Sequence, residues 1–400
     1  MSKTIIKRAK YLNSIRNFIN KDIVKVIMGQ RRVGKSYILL QIIEELKNNF
    51  GALENEIIYI NKEDLKWDKI QDYNDLYEEV KNYKYIFIDE IQDINSWEKA
   101  IRSLQASGNH DIYITGSNSN LLSSELSTFL SGRYVSFDIY PLNYSEFLEF
   151  HNLQANNENF LKYIKFGGLP YLTNLKLEEE IVYSYLKDVV STIILKDVVS
   201  RNNIRNVDFY KKLINYISSE TGSIFSAKSI SDYLRNQNIK MSPNVVLNYL
   251  ENSINASFLN KVSRYDIKGK RLFEIKEKYY FTDIGIKNTL LGGYSKIHIS
   301  GILENIVFSN LISNGWELKI GEISDKEVDF VCEKEGNIMY IQVAYLLETE
   351  KTRDREFASL LAINDSWPKY VLTMDENASG VIDGAKWLNI DKFLLELENI

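Results

Sequence analysis

Gly29-Gln30-Arg31-Arg32-Val33-Gly34-Lys35-Ser36 restricts what this chain can become more than any other stretch. The β-branched run at 23–28 precedes it and reads as a buried strand. Ile38, Leu39, Ile42, Ile43 and Leu46 follow at helical spacing. Strand, glycine-bounded loop closed by Lys-Ser, then helix is the P-loop pattern in its required context. Glycines let the backbone curl so that several N–H groups point at one phosphate chain, helped by the positive end of the helix. Lys35 is expected to reach the β- and γ-phosphates and the Ser36 hydroxyl to bind Mg²⁺, so that 29–37, Tyr37 included, forms the cofactor-binding stretch for ATP.

Strands alternate with helices around this motif. An amphipathic helix with Arg8, Tyr11, Leu12, Ile15 and Phe18 comes first, and further strands are expected at 56–60, 83–90 and 111–118. That alternation predicts an α/β fold, a parallel sheet with helices on both faces. The third strand ends in Asp89-Glu90. An apolar strand delivering Asp89 to the carboxyl edge suits a metal ligand, and Glu90 is placed to orient or deprotonate an attacking water. Thr115-Gly116-Ser117-Asn118 ends the next strand with hydroxyls and an amide, placed either to contact the γ-phosphate or the lytic water, or simply to end the strand in a turn. Ser131-Gly132-Arg133 offers one arginine as a charge-neutralising finger, in cis or on a neighbouring chain.

At 400 residues with 44% hydrophobic content, the chain has length for two to four domains. Its net charge of −5 gives no global basic field, so any nucleic-acid contact must be local. A single cysteine, Cys332, excludes an internal disulfide and a multi-thiolate zinc site, and fits a reducing compartment, the cytoplasm. The first residues are basic without an apolar run behind them, so no signal peptide is expected, and no stretch has the length of a membrane span.

The polar run 151–159 marks the end of the first domain, giving 1–150 as the nucleotide domain and 151–205 as a helical lid or linker. Leu186-Lys187-Asp188-Val189-Val190-Ser191 recurs as Leu195-Lys196-Asp197-Val198-Val199-Ser200, which predicts one helix or a broken pair rather than a solenoid. Residues 206–295 read as three helices and a β-ribbon, a winged-helix pattern. The third helix carries no lysine or arginine, and only the tip of the wing is basic, at Lys268, Lys270 and Arg271. Residues 296–400 resemble a restriction-endonuclease-like fold, with Glu304 on a helix, Asp329 and Gln342 on successive strands, and Ala344 where its signature has lysine. Lys319 and Lys351 are the nearest replacements by element order.

Taken in order, these motifs, with Gly167-Gly168-Leu169-Pro170 between them, resemble the prokaryotic AAA-type P-loop ATP-binding proteins with an uncharacterised C-terminal region. The resemblance implies that Lys35 and Ser36 bind phosphate and Mg²⁺, that Asp89 and Glu90 serve metal and water, and that the turn at Pro170 approaches the base. Two functions fit. One is a slow Mg²⁺-dependent ATPase whose nucleotide state repositions the C-terminal domains, as a switch acting on a protein partner or on further copies of the chain. The other is a DNA-binding module, or a protein derived from a nuclease, that keeps ATP as a structural ligand. Nuclease activity is not expected, because the lysine is missing.

Overall fold

The structure, a computed structural model, describes residues 6–116, 130, 132–236, 241–272, 277–397 and 400. Ser117, Asn118 and Ser131 lie outside the described residues. The chain divides at Tyr140/Pro141 into two compact units, with 255–257 grouped with the first.

The first unit is a mixed α/β layer. Helix α1 (Ala9–Arg16) leads into β1 (Val24–Met28), the loop, and α2 (Lys35–Asn49). Then follow β2 (Ile57–Asn61), α3 (Tyr73–Val80), β3 (Tyr85–Asp89), α4 (Trp97–Ser107), β4 (Asp111–Gly116) and β5 (Tyr134–Asp138). All strand pairs are parallel, in the order β2-β3-β4-β1-β5. Strands β3 and β4 are buried throughout, as continuous apolar runs in a sheet covered on both faces should be. Ile60, Ile86, Ile88 and Ile114 on the strands and Ile101 on α4 are fully buried in one apolar core, each contributing about 1.5–3 kcal/mol by leaving water. Phe87 and Tyr113 stack across β3 and β4 with ring centroids 4.5 Å apart. An ion pair is buried inside this sheet: Lys25 on β1 pairs with Asp111 at the start of β4, and Asp111 also accepts from the Asn20 amide and the Tyr113 hydroxyl.

The second unit begins with α5 (Tyr144–His151), which a boundary at the polar run 151–159 would leave in the nucleotide domain. It belongs here because the Tyr144 amide donates to Asn310 and Phe147 packs in this unit's core. After α6 (Asn157–Phe166), helix α7 (Glu179–Thr192) continues as a π-wound segment, Ile193–Ser200, so the repeated sextet forms one helix whose second copy is wound more widely. Next are α8 (Val207–Ser219), β6 (Ile224–Phe225), α9 (Ala227–Asn236), α10 (Pro243–Asn255), β7 (Leu259–Val262), β8 (Arg264–Asp266), β9 (Arg271–Leu272) and β10 (Glu277–Phe281). Strands β6, β10 and β7 form a small antiparallel sheet. After α11 (Ile284–Leu290) comes α12 (Ile299–Ser313), nearly apolar all round and therefore central.

The remaining elements are β11 (Glu317–Ile323), β12 (Lys326–Lys334), β13 (Asn337–Val343), α13 (Glu350–Leu361), β14 (Lys369–Thr373), β15 (Ser379–Ile382), β16 (Ala385–Asn389) and α14 (Ile390–Glu396). They build an eight-stranded sheet in the order β15-β16-β14-β13-β12-β11-β8-β9. Sequence reading separated the ribbon tip from this sheet at residue 295. Instead β8 runs parallel to β11, with Arg264 opposite Ile320, so the tip is continuous with the C-terminal sheet. Among the described residues no helix is long and apolar enough to cross a membrane.

Candidate functional site

The loop after β1 has the backbone that its glycines predict. Gly29 has φ 140°, and a Cβ there would lie 2.2 Å from the Ile139 carbonyl oxygen. Gly34 (φ 97°) and Arg32 (φ 70°) are also left-handed, turning 29–34 into a cradle that ends at the first residue of α2. The Lys35 Nζ lies back along this cradle, donating to the carbonyls of Gly29 (3.0 Å) and Gln30 (3.1 Å). Ser36 is half-buried one residue into the helix, in the first turn whose amides have no intrahelical partner. Gln30 is buried with neither amide atom partnered among the described residues. Val33 is buried, Arg31 reaches Glu63 at 3.7 Å, and Tyr37 is exposed on the outer side of α2.

Asp89 ends β3 one strand further from β1 than simple adjacency would give, because β4 lies between them. Strands are about 4.8 Å apart, so Asp89 stands roughly 10 Å across from the end of β1, a gap suited to a phosphate group with its metal. Thr115 on β4 spans the gap: its Oγ1 donates to Asp89 Oδ1 (2.5 Å) and accepts from the Glu90 amide (2.9 Å). The Tyr59 hydroxyl donates to Asp89 Oδ2, and burial beside that carboxylate drives the Tyr59 phenol well above its ordinary pKa. Glu90 is left-handed (φ 56°), which swings its carboxylate away from the strand line to within 4.0 Å of Lys35 Nζ. Gln92 Nε2 donates to its other oxygen. The structure thus brings together Gly29–Ser36, Asp89, Glu90 and Thr115 at one carboxyl edge. An acidic ligand, a hydroxyl, an ammonium and a bed of backbone amides are a donor set that fits a triphosphate with Mg²⁺.

Arg133 falls elsewhere in the first unit, and Pro170 lies in the second unit. Arg133 precedes β5, and its carbonyl accepts from the amide of Val24, the first residue of β1. It also accepts from Gln105 Nε2. Arg133 therefore stands at the amino edge of the sheet, one strand length (about 16 Å) from the loop. That distance keeps its side chain away from the phosphate loop of its own chain. Pro170 belongs to the second unit, and the glycines before it are explained by packing there. The Gly168 amide donates to Asp283 (2.8 Å), its carbonyl accepts from Leu142, and a Cβ at Gly167 would strike the Asp283 carboxylate. Burial raises Asp283 to about 6, against those amide bonds.

Arg8 was not singled out from sequence as a functional residue. Its guanidinium donates to the Val33 carbonyl (3.3 Å) and the Tyr140 carbonyl (2.8 Å), tying the phosphate loop to the end of the unit. Its place before the first helix gave only an amphipathic signal; the role needs the fold.

A family model for an AAA domain matches residues 21–148, and one for a domain of unknown function matches 157–296. An uncharacterized protein of Haemophilus influenzae is 33% identical over 99% of this chain and all of its own length. One of Methanocaldococcus jannaschii is 36% identical over 88% of this chain and 81% of its own. Among solved structures, the Walker-type ATPase of Pyrococcus abyssi aligns over 71% of this chain and 94% of its own at TM-score 0.45 and 18% identity. Cdc6p of Pyrobaculum aerophilum aligns over 77% and 97% at TM-score 0.31 and 10% identity. The chain belongs to the family of AAA-domain proteins that includes these Haemophilus and Methanocaldococcus relatives.

Proposed function

We propose that this protein is an ATPase that binds ATP with Mg²⁺ in the loop 29–36, hydrolyses it slowly, and uses its nucleotide state to reposition its C-terminal region. The observation that carries this reading is the pairing of Asp89 with Glu90 through Thr115. A site that merely held nucleotide would have no use for a second carboxylate aimed back at Lys35. In this reading the loop amides and Lys35 bind and orient the phosphates, and Ser36 and Asp89 hold Mg²⁺. The ion neutralises charge on the β- and γ-oxygens. Glu90 draws a proton from the attacking water, with Gln92 fixing the carboxylate. Slow turnover follows from the distance between Arg133 and the loop of its own chain, since an arginine finger is worth about 10³–10⁵ in rate.

Glu90→Gln tests this. ATP affinity should stay within about twofold and the hydrolysis rate should fall by about 10²–10⁴, read by calorimetry and phosphate release. Unchanged turnover would remove Glu90 from the mechanism.

The alternative role on DNA has one observation in its favour, the exposed basic tip at Lys268, Lys270 and Arg271, where Arg271 is already drawn toward Asp266 at 3.5 Å. Helices α8–α10 with the ribbon support a winged-helix reading, but α10 offers no base-reading cation. Binding should therefore be indifferent to sequence. Neutralising all three residues should reduce the salt slope by about three, measured by fluorescence anisotropy across salt. A sequence-specific footprint surviving that change would mean α10 reads bases.

A further inference from the structure

An endonuclease-like domain implies a divalent cation held by acids at the positions of Glu304, Asp329 and Gln342. The residues present do not fit one. Lys278, on ribbon strand β10, is buried (side chain 2% exposed) and lies among the carboxylates: Nζ is 2.7 Å from Glu304 Oε1, 2.7 Å from Glu327 Oε1 and 3.6 Å from Asp329 Oδ1. Neighbouring groups hold these carboxylates in place. Asp329 Oδ2 accepts from the Val343 amide (2.8 Å), and Glu304 Oε1 also accepts from the Tyr280 hydroxyl. A Cβ added at Gly222 would lie 2.7 Å from Glu304 Oε2, so backbone packs against that side. Gln342 turns its oxygen to the Asp329 amide and Ser359 Oγ, and its nitrogen to Glu356, so it lends no oxygen to the cluster. Lys319, expected as a replacement lysine, pairs with Glu333 on the sheet, and Lys351 is exposed on α13.

We propose that the Lys278 ammonium is the resident cation of this acidic site. It occupies the point between three carboxylates where a divalent ion would sit, and it fastens ribbon strand β10 to helix α12 and strand β12. The geometry matches the task. An ammonium has three N–H donors and needs no complete oxygen shell, whereas Mg²⁺ demands near-octahedral coordination and gives up water reluctantly. A second cation beside the buried Nζ would be repelled at short range. The cluster therefore serves as a clasp between two sheets of one unit, and the C-terminal region stays metal-free because of a residue that lies outside it in sequence. This inference is independent of the ATPase reading.

Mn²⁺ is the probe, titrated into the nucleotide-free full chain and followed by electron paramagnetic resonance. The natural protein should show no Mn²⁺ uptake that Asp329→Asn removes. Lys278→Met should bind one Mn²⁺ at least about tenfold more tightly than any site of the natural protein, and Lys278→Met with Asp329→Asn should lose it. Saturable Mn²⁺ in the natural protein that Asp329→Asn abolishes would overturn the proposal, as would a folded Lys278→Met without Mn²⁺ uptake. Thermal melting decides the case if Lys278→Met folds poorly. Adding Glu304→Gln to Lys278→Met should then raise the melting temperature, because it removes an unpaired buried charge. If the two changes merely add their losses, there is no clasp.

Discussion

ATP affinity is expected to fall by at least about 100-fold in Lys35→Ala, the largest binding effect of any single change in this protein. Lys35 is buried at 5% exposure, starts α2, and is already aligned along the cradle by two carbonyls. Little rotamer freedom is left to lose when phosphate arrives. A charge-assisted hydrogen bond contributes about 1.5–3 kcal/mol, so one good contact to the β- or γ-phosphate accounts for the lower bound, with 1.4 kcal/mol per factor of ten. The ammonium also sits 4.0 Å from Glu90, and its loss leaves two acids at the mouth repelling the triphosphate. Calorimetry with Mg²⁺ present, and melting curves to verify folding, provide the check. Equal affinity in the variant would mean that the loop does not bind the nucleotide.

The parts of this site that could be read from sequence are those fixed by local chain geometry. The loop 29–36 specifies its own curl, and an apolar strand ending in Asp89-Glu90 must deliver its acids to an edge. Arg133 could not be read in the same way. Whether an arginine near a strand reaches the carboxyl or the amino edge depends on where the strand begins, and β5 begins beside Val24 one residue after it. Pro170 lies in the second unit, where the glycines before it have close neighbours of their own. Consecutive glycines signal close approach, but sequence does not say to what, and here the neighbours are Leu142 and Asp283. Lys278 was the hardest to see. It reads as one residue of an ordinary ribbon strand, and only the packing of β10 on α12 and β12 brings its ammonium among Glu304, Glu327 and Asp329. Fold class was legible because strand and helix periods alternate; the merging of the wing tip into the eight-stranded sheet was not, since β8 is three residues long.

Asp111→Asn should cost the first unit about 3–5 kcal/mol, the range found when one partner of a buried pair is removed. Lys25 has no exposed surface, and β4 and β5 flank its strand on either side. Its ammonium is kept charged by Asp111 and by the Lys21 carbonyl at 2.9 Å, while burial pulls its pKa below the ordinary lysine value. Asparagine retains the shape and can still accept from the Asn20 amide and the Tyr113 hydroxyl, so the loss isolates the charge. The variant's pH dependence has a definite sign. Free lysine titrates near 10.4, and without Asp111 the folded-state value drops further. Between the two values the unfolded chain binds more protons than the folded one, so stability should rise as pH increases toward 10. In the natural protein the same slope is shallower, because Asp111 supports the charged form. Hydrogen exchange of the β1 and β4 amides at several pH values reads both quantities, since those strands open only when the unit does. Protection reduced by less than about 1 kcal/mol would mean that Lys25 reaches water or another partner once Asp111 is gone. Because β1 ends at Met28 and hands the chain directly to Gly29, the same loss should loosen the phosphate loop, and added ATP with Mg²⁺ should restore part of the protection by mass action.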